Sequence, residues 1–234
     1  MQAGSRDTDS KDTDSPLGSP LGSPHIVSIN IATRSQITAG NKELETGIFK
    51  RPCDGPVEIG EWGLEGDCIA DTNVHGGTDQ AVYLYSMADY RWWSGQLGRE
   101  LEPGCFGENL TLSSFPEQPL RIGDRLRING DIHLEITAPR VPCLKLAARM
   151  DDSGFVKKFI AAVRPGAYAR VLSGGAVSSG DPVRWEPTAE DYVQVNEVFI
   201  EWHKKDWSAE LFQRALQAPI SDISRKIIEK RYTR

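Results

Sequence analysis

Short runs of alternating apolar and polar residues, each closed by a turn signal, fill the middle of this chain and restrict the folds open to it. His25 to Ala32 alternates through isoleucine and valine. Ala81 to Tyr85 reads as a buried strand. Leu120 to Ile128 gives strand, a Gly123-Asp124 turn, then strand. Asn129-Gly130 is a type I′ hairpin signal leading into Asp131 to Thr137. There Ile132, Leu134 and Ile136 face one way and His133, Glu135 and Thr137 the other. Tyr168 to Leu172 and Val177 to Trp185 complete the series. Regular strand–helix alternation is missing, which disfavours an open parallel sheet. The pattern predicts a mainly β fold, a compact β-barrel with flanking helices.

Helical signals flank and follow these runs. Ser86 to Asp89 is a capping box, and behind it Met87, Tyr90, Trp93 and Leu97 share one face before a stop at Gly98. Trp92 and Trp93, at helical spacing, read as core or interface residues. Phe155 to Val163 is a further helix. After Pro187, three helices are expected. The first opens on a Thr188-to-Asp191 capping box with Tyr192, Val195 and Phe199 on one face; the others span Trp207 to Leu216 and Ser221 to Tyr232. Such a bundle buries little alone, so it should dock on the barrel. The expected organisation is a disordered tail over 1–24, a β-barrel domain over 25–187 and a three-helix domain over 188–234. The tail repeats DTDS and PLGS, a composition that cannot offset its own ordering entropy.

A net charge of −6 argues against a nucleic-acid surface, including a helix-turn-helix role for the last three helices. Their basic end, Arg225, Lys226, Lys230 and Arg231, is interleaved with acids and reads as a solvated face or a contact for an acidic redox partner. No apolar run reaches the length of a membrane span, and the first residues carry no signal-like apolar stretch. Cys53, Cys68, Cys105 and Cys143 are widely spaced, neither a zinc ribbon nor a disulfide scaffold. A cytoplasmic setting is expected, with an organelle left open.

The chemistry concentrates after the Asp131-to-Thr137 strand. Pro139 and Pro142 stiffen a hinge that places Cys143 at a strand-to-helix turn, before the helix formers from Leu144 to Met150. Arg140 lies close by. A thiolate there serves as nucleophile, redox thiol or soft-metal ligand, while a small buried hydrophobe is the commoner fate of a lone cysteine. Lys50 and Arg51, before the turn at Asp54-Gly55-Pro56, suit a phosphate or simply a solvated surface pair. His75 precedes Gly76 and Gly77, so little side-chain bulk separates it from a ligand; a hydrogen-bonded core histidine is the alternative. Asn109 offers donors and an acceptor. Asp67 reads as a turn-closing acceptor, Glu108 as an acid–base group or a structural partner, and Cys105 as an inert small residue.

Arg140, Pro142, Cys143, Lys145 and Leu146 spell R-x-P-C-x-K-L, which resembles the signature of the MOSC family, domains related to the molybdenum cofactor sulfurase C-terminal domain. His75 to Val82 is similar to the family's H-G-G-x-D-x-A-V pattern, and Phe106 to Leu110 to its F-G-E-N-L segment. The resemblance runs from about Ile26 to Tyr232 and is to stand-alone members with a C-terminal three-helix domain. It implies a molybdenum cofactor (Mo-molybdopterin) with Cys143 as the sulfur on the metal. It further implies Lys50, Arg51 and Arg140 near cofactor charge, and His75, Gly76, Gly77 and Asn109 around the pocket, with Cys143 and His75 as the catalytic candidates. The implied activity is reduction of N-hydroxylated small molecules: hydroxylamines, amidoximes or N-hydroxylated purines. The chain has no G-x-G-x-x-G fingerprint and no iron–sulfur cysteine cluster, so electrons would come from separate flavin and haem or iron–sulfur proteins. The same lack leaves a second class open: a non-catalytic cofactor carrier or sulfur-handling module.

Overall fold

A computed structural model describes residues 22–68, 77–206 and 208–232. Most of the expected tail, together with His75, Gly76 and Trp207, lies outside them. In chain order the strands begin with β1 (Ile26–Ile31), the hairpin β2 (Ser35–Ala39) and β3 (Lys42–Thr46), β4 (Arg51–Pro52), β5 (Val57–Gly60) and β6 (Gly63–Leu64). A 3-10 turn, Thr78–Gln80, leads into β7 (Val82–Ser86) and helix α1 (Met87–Leu97). Then come β8 (Leu110–Leu112), β9 (Arg125–Ile128), β10 (Ile132–Ala138), α2 (Leu144–Arg149), α3 (Phe155–Ala162), β11 (Ala167–Ser173), β12 (Gly175–Val177) and β13 (Val183–Glu186). Three helices close the chain: α4 (Val195–Trp202), α5 (Ala209–Gln217) and α6 (Asp222–Tyr232).

The fold is mainly β with helices. One sheet carries the order β13-β9-β10-β11-β7-β8-β1-β4, antiparallel except for the β7–β8 pair. The expected barrel is not closed by a continuous ladder. β13 and β1 approach through a single bridge, His25 opposite Pro182, flanked by Ile26 N to Asp181 O at 3.0 Å and Val183 N to Pro24 O at 2.8 Å. Pro182 has no N–H to donate, so the pairing cannot propagate through it. The hairpin also differs from expectation. Ile128 faces Ile132, leaving three residues in the connection, with Asn129 and Gly130 both at positive φ (54° and 88°).

Strand alternation divides the interior into two layers. On β7, Val82 and Leu84 enter an aliphatic cluster with Leu110, Leu126, Leu134 and Ile136. Tyr83 and Tyr85, on its other face, enter an aromatic cluster with Trp93 of α1, Phe106, Leu146 of α2, and Phe155 and Phe159 of α3. Trp93 donates its Nε1 proton to the Tyr85 hydroxyl at 2.8 Å, so the largest side chain in this layer is also hydrogen-bonded. α1 begins as its capping box predicts, with the Ser86 side chain accepting from Asp89 N, and ends at left-handed Gly98.

The C-terminal helices pack on this body. Val198, Phe212, Ala215 and Ile228 belong to the aliphatic cluster, and Phe199 meets Phe159 edge-on at 6.1 Å. α4 starts later than expected. Thr188 closes only a local turn with Glu190 N, and the capping box is built by Gln194 and Glu197. Residues 193–195 are instead bonded to the Leu120–Ile122 segment, Ile122 N to Val193 O at 3.0 Å and Val195 N to Leu120 O at 2.8 Å, an isolated bridge that holds their backbone extended. Part of the expected basic face is tied back to the chain: half-buried Arg225 donates to Leu216 O and Ala218 O, and exposed Arg231 to Trp202 O. Among the described residues no helix is long and apolar enough to cross a membrane.

Phe106 is fully buried, with ring centroids of Tyr85, Tyr90 and Trp93 at 4.5, 5.1 and 5.9 Å. Phe106→Ala should therefore cost about 3–5 kcal/mol of unfolding free energy, read from urea denaturation, because the aromatic layer cannot collapse around the missing ring.

Candidate active site

β10 delivers the hinge. Beyond Ala138, Pro139, Arg140 and Pro142 are buried, and Cys143 emerges half-buried at the N-cap of α2 with an extended backbone (φ −132°, ψ 172°). Cys143 makes no side-chain cap, and α2 is only six residues long, so its dipole adds little to the chemistry expected of the thiol.

Arg140 is 6% exposed. Its guanidinium lies over the rings of Tyr83 (5.6 Å) and Phe159 (5.7 Å) and donates to the Tyr168 side chain. Burial works against its charge, yet Tyr83, Cys143 and Tyr168 together hold its pKa above the ordinary guanidinium value. Among the described residues its Nη1 finds no hydrogen-bond partner. A buried cationic N–H left over beside a sulfur is an uncompensated donor, and such groups normally have partners.

A second cluster forms around Asp67. Lys50 is 7% exposed and ion-paired to Asp67, whose side chain is buried as well. The other Asp67 oxygen accepts from Ala32 N at 2.9 Å, and Asn109 Nδ2 donates to the Lys50-bound oxygen at 2.8 Å. Asn109 Oδ1 accepts from Tyr83 N at 3.1 Å. Burial lowers the Lys50 pKa while Asp67 opposes the fall. Lys50 and Arg51 do not act as a surface pair: alternation turns Lys50 inward and leaves Arg51 exposed on β4. Gly77 opens the 3-10 turn at φ 78°.

The structure thus gathers Cys143 with Arg140, and Lys50 with Asn109 through Asp67. Tyr83 joins the two groups, its ring under Arg140 and its backbone on Asn109. Asp67, Tyr83, Tyr168 and Phe159 are the members that sequence reasoning did not assign to the site. The Tyr83–Tyr85 alternation is the local signal that could have pointed to an aromatic face. A cavity of about 400 Å³ lies elsewhere, between Phe115–Leu120 and Ala162–Gly166. Two of its lining residues, Pro165 and Arg164, accept from the Tyr83 and Tyr85 hydroxyls.

The turn just before the F-G-E-N-L segment lies against the Lys50 backbone. Gly104 sits at φ 85°, and a Cβ there would lie 2.6 Å from Lys50 O. Glu108, fully buried, accepts at Oε1 from Tyr90 Oη (2.6 Å), Gly104 N (2.7 Å) and Thr111 Oγ1 (2.7 Å). Burial raises its pKa above the ordinary 4.5, against these hydrogen bonds. A carboxyl with a raised folded-state pKa binds its proton more tightly in the native chain than in the unfolded one. Stability then falls as pH rises from 4.5 through the folded value. Glu108→Gln keeps the acceptor and removes the titration. Urea midpoints measured across that range should fall with pH in the parent and run flatter in the variant.

Comparisons with known proteins place the chain in a family. The MOSC domain model matches residues 71–184. YflK of Bacillus subtilis is 37% identical over 155 residues, 66% of this chain and 70% of the relative. A Gibberella moniliformis protein named "Reductase" is 30% identical over 192 residues, 81% of this chain but only 34% of that longer protein. The crystal structure of YiiM from Geobacillus stearothermophilus superposes with a TM-score of 0.72 at 27% identity, over 89% of this chain and 98% of that one. This chain belongs to the MOSC domain family.

Proposed function

We propose that this chain binds a molybdenum cofactor through the Cys143 sulfur and reduces N-hydroxylated small molecules with electrons from separate redox proteins. The observation that carries the reading is the buried Arg140 guanidinium beside Cys143, with Nη1 lacking a partner among the described residues. A cation in that position suits an anionic group held next to the sulfur, and the residues present fit such a cofactor. Bound there, the cofactor would supply two-electron redox chemistry at a metal, enough to convert R–NH–OH, two electrons and two protons into R–NH2 and water.

The protein's own residues would bind and orient. Cys143 supplies the sulfur ligand. Arg140, fixed between Tyr83 and Phe159, offers its spare N–H to cofactor or substrate charge without paying for rotamer freedom on binding. Lys50 acts through Asp67, keeping Asn109 and the Tyr83 backbone in place, while exposed Arg51 is the cation left to meet a phosphate. By resemblance to the family pattern, His75, Gly76 and Gly77 would line the approach to the site. A reducing cytoplasm would keep the Cys143 sulfur as a thiol. Support for a reductase also comes from the fungal relative of that name, in which the match occupies about a third of a longer polypeptide.

Protein made in a cofactor-competent host should carry molybdenum and pterin, and should reduce a hydroxylamine anaerobically with an artificial donor. Cys143→Ser should abolish both metal and turnover. Arg140→Met should weaken metal retention by about tenfold to a hundredfold while leaving the fold intact by circular dichroism. Cofactor without turnover would identify a carrier; absence of pterin, or full retention in Cys143→Ser, would overturn the assignment.

A further inference from the structure

We propose that Thr137, the bulged residue of β10, is a positioning residue held by the start of α6, and that this joint aims the Arg140–Cys143 hinge. The register of β10 on β11 shifts between Ile136 and Ala138: Ile136 pairs with Ala169 and Ala138 with Tyr168, so Thr137 has no residue opposite it. A bulge of this kind releases a residue from the ladder and turns the strand. The released groups are taken up from outside the sheet. Thr137 O accepts from Ser221 N at 3.1 Å. The Thr137 hydroxyl donates to Asp79 O at 2.5 Å and lies 3.3 Å from Tyr168 O.

The first residues of α6 complete the joint. Asp222 N donates to Asp79 Oδ2 at 2.9 Å, and Gln80 Nε2 to Ser221 Oγ at 3.2 Å. Arg170 of β11 reaches both sides, pairing with Asp79 at 3.1 Å and donating to Pro219 O at 2.9 Å. One buried threonine therefore links the 3-10 turn that follows Gly77, strands β10 and β11, and the C-terminal helices. Pro139 and Pro142 stiffen the short path from Thr137 to Cys143, so a change of aim at the bulge is carried to the sulfur rather than absorbed. The joint is built from the chain's own bonds and holds whichever cofactor the site takes.

Cys143 alkylation by iodoacetamide in metal-free protein, followed by mass spectrometry of its peptide, reads the joint directly. A half-buried thiol reacts through local opening of the hinge. Thr137→Val, which keeps shape and loses the hydroxyl, should speed Cys143 alkylation by about fivefold, the population shift expected for one lost hydrogen bond. Thr137→Ser should restore the parent rate. Ile228→Val, in the buried aliphatic face of α6 and away from the joint, should leave the rate unchanged although it lowers the urea midpoint. Should Thr137→Val fail to fold, Gln80→Met decides, since it removes only the bond to Ser221. An unaltered rate in the joint variants, no rescue by serine, or equal acceleration in Ile228→Val would overturn the proposal. Because no cofactor is present, failure of the molybdenum reading leaves this result untouched.

Discussion

Moving a guanidinium out of water costs several kcal/mol unless the interior repays it, and Arg140 is repaid without a salt bridge among the described residues. Its compensation comes from the faces of Tyr83 and Phe159 and from the Tyr168 hydroxyl. That arrangement needs an aromatic layer already in place. Tyr83 must stand on the outer face of β7, Phe159 must arrive from α3, and α1 must cover both with Trp93. The layer, in turn, exists because β7 is covered on both faces, aliphatic inside and aromatic outside. The site's charge is thus a consequence of how the sheet is packed, and the packing would have little reason to retain a cation there were nothing to meet it.

Much of this was legible in the residues themselves, and the rest was not for identifiable reasons. Period-two alternation in His25 to Ala32 and Asp131 to Thr137 marks β1 and β10, although the fold buries most of their polar faces as well. Ser86 and Gly98 mark both ends of α1, because caps are local chemistry. The Asp67 hub is different. It joins Lys50, Ala32 and Asn109, residues far apart in the chain, and a lysine beside an arginine gives no hint that one is buried. The late start of α4 is a similar case: Thr188 has the chemistry of a cap, yet pairing with the Leu120–Ile122 segment keeps that stretch extended. Tertiary bonding overrode a sound local preference.

The two motif strings also divide their labour in a way the strings alone do not reveal. The cysteine string supplies both a half-buried thiol and the buried cation three residues before it. The F-G-E-N-L string is chiefly architectural: Glu108 accepts from the amide of Gly104, just before the string, and fastens the turn that lies against the Lys50 backbone, while Asn109 faces the network that reaches Tyr83. The histidine–glycine string runs into a 3-10 turn whose own residues, Asp79 and Gln80, bind the start of the last helix. Family signatures thus include residues whose work is to fix the frame, and geometry is what identifies them.

The outermost strand of the main sheet, β4, consists of an arginine and a proline. A sheet that does not seal itself exposes unsatisfied amides along its rim, an invitation for a neighbouring molecule to add another strand. Here that rim is blunt: the proline cannot donate, the arginine carries charge, and two residues are too few to template an intruder. The chain can therefore leave its sheet open without becoming adhesive, and the same arginine stays in solvent, available to whatever anion approaches that border.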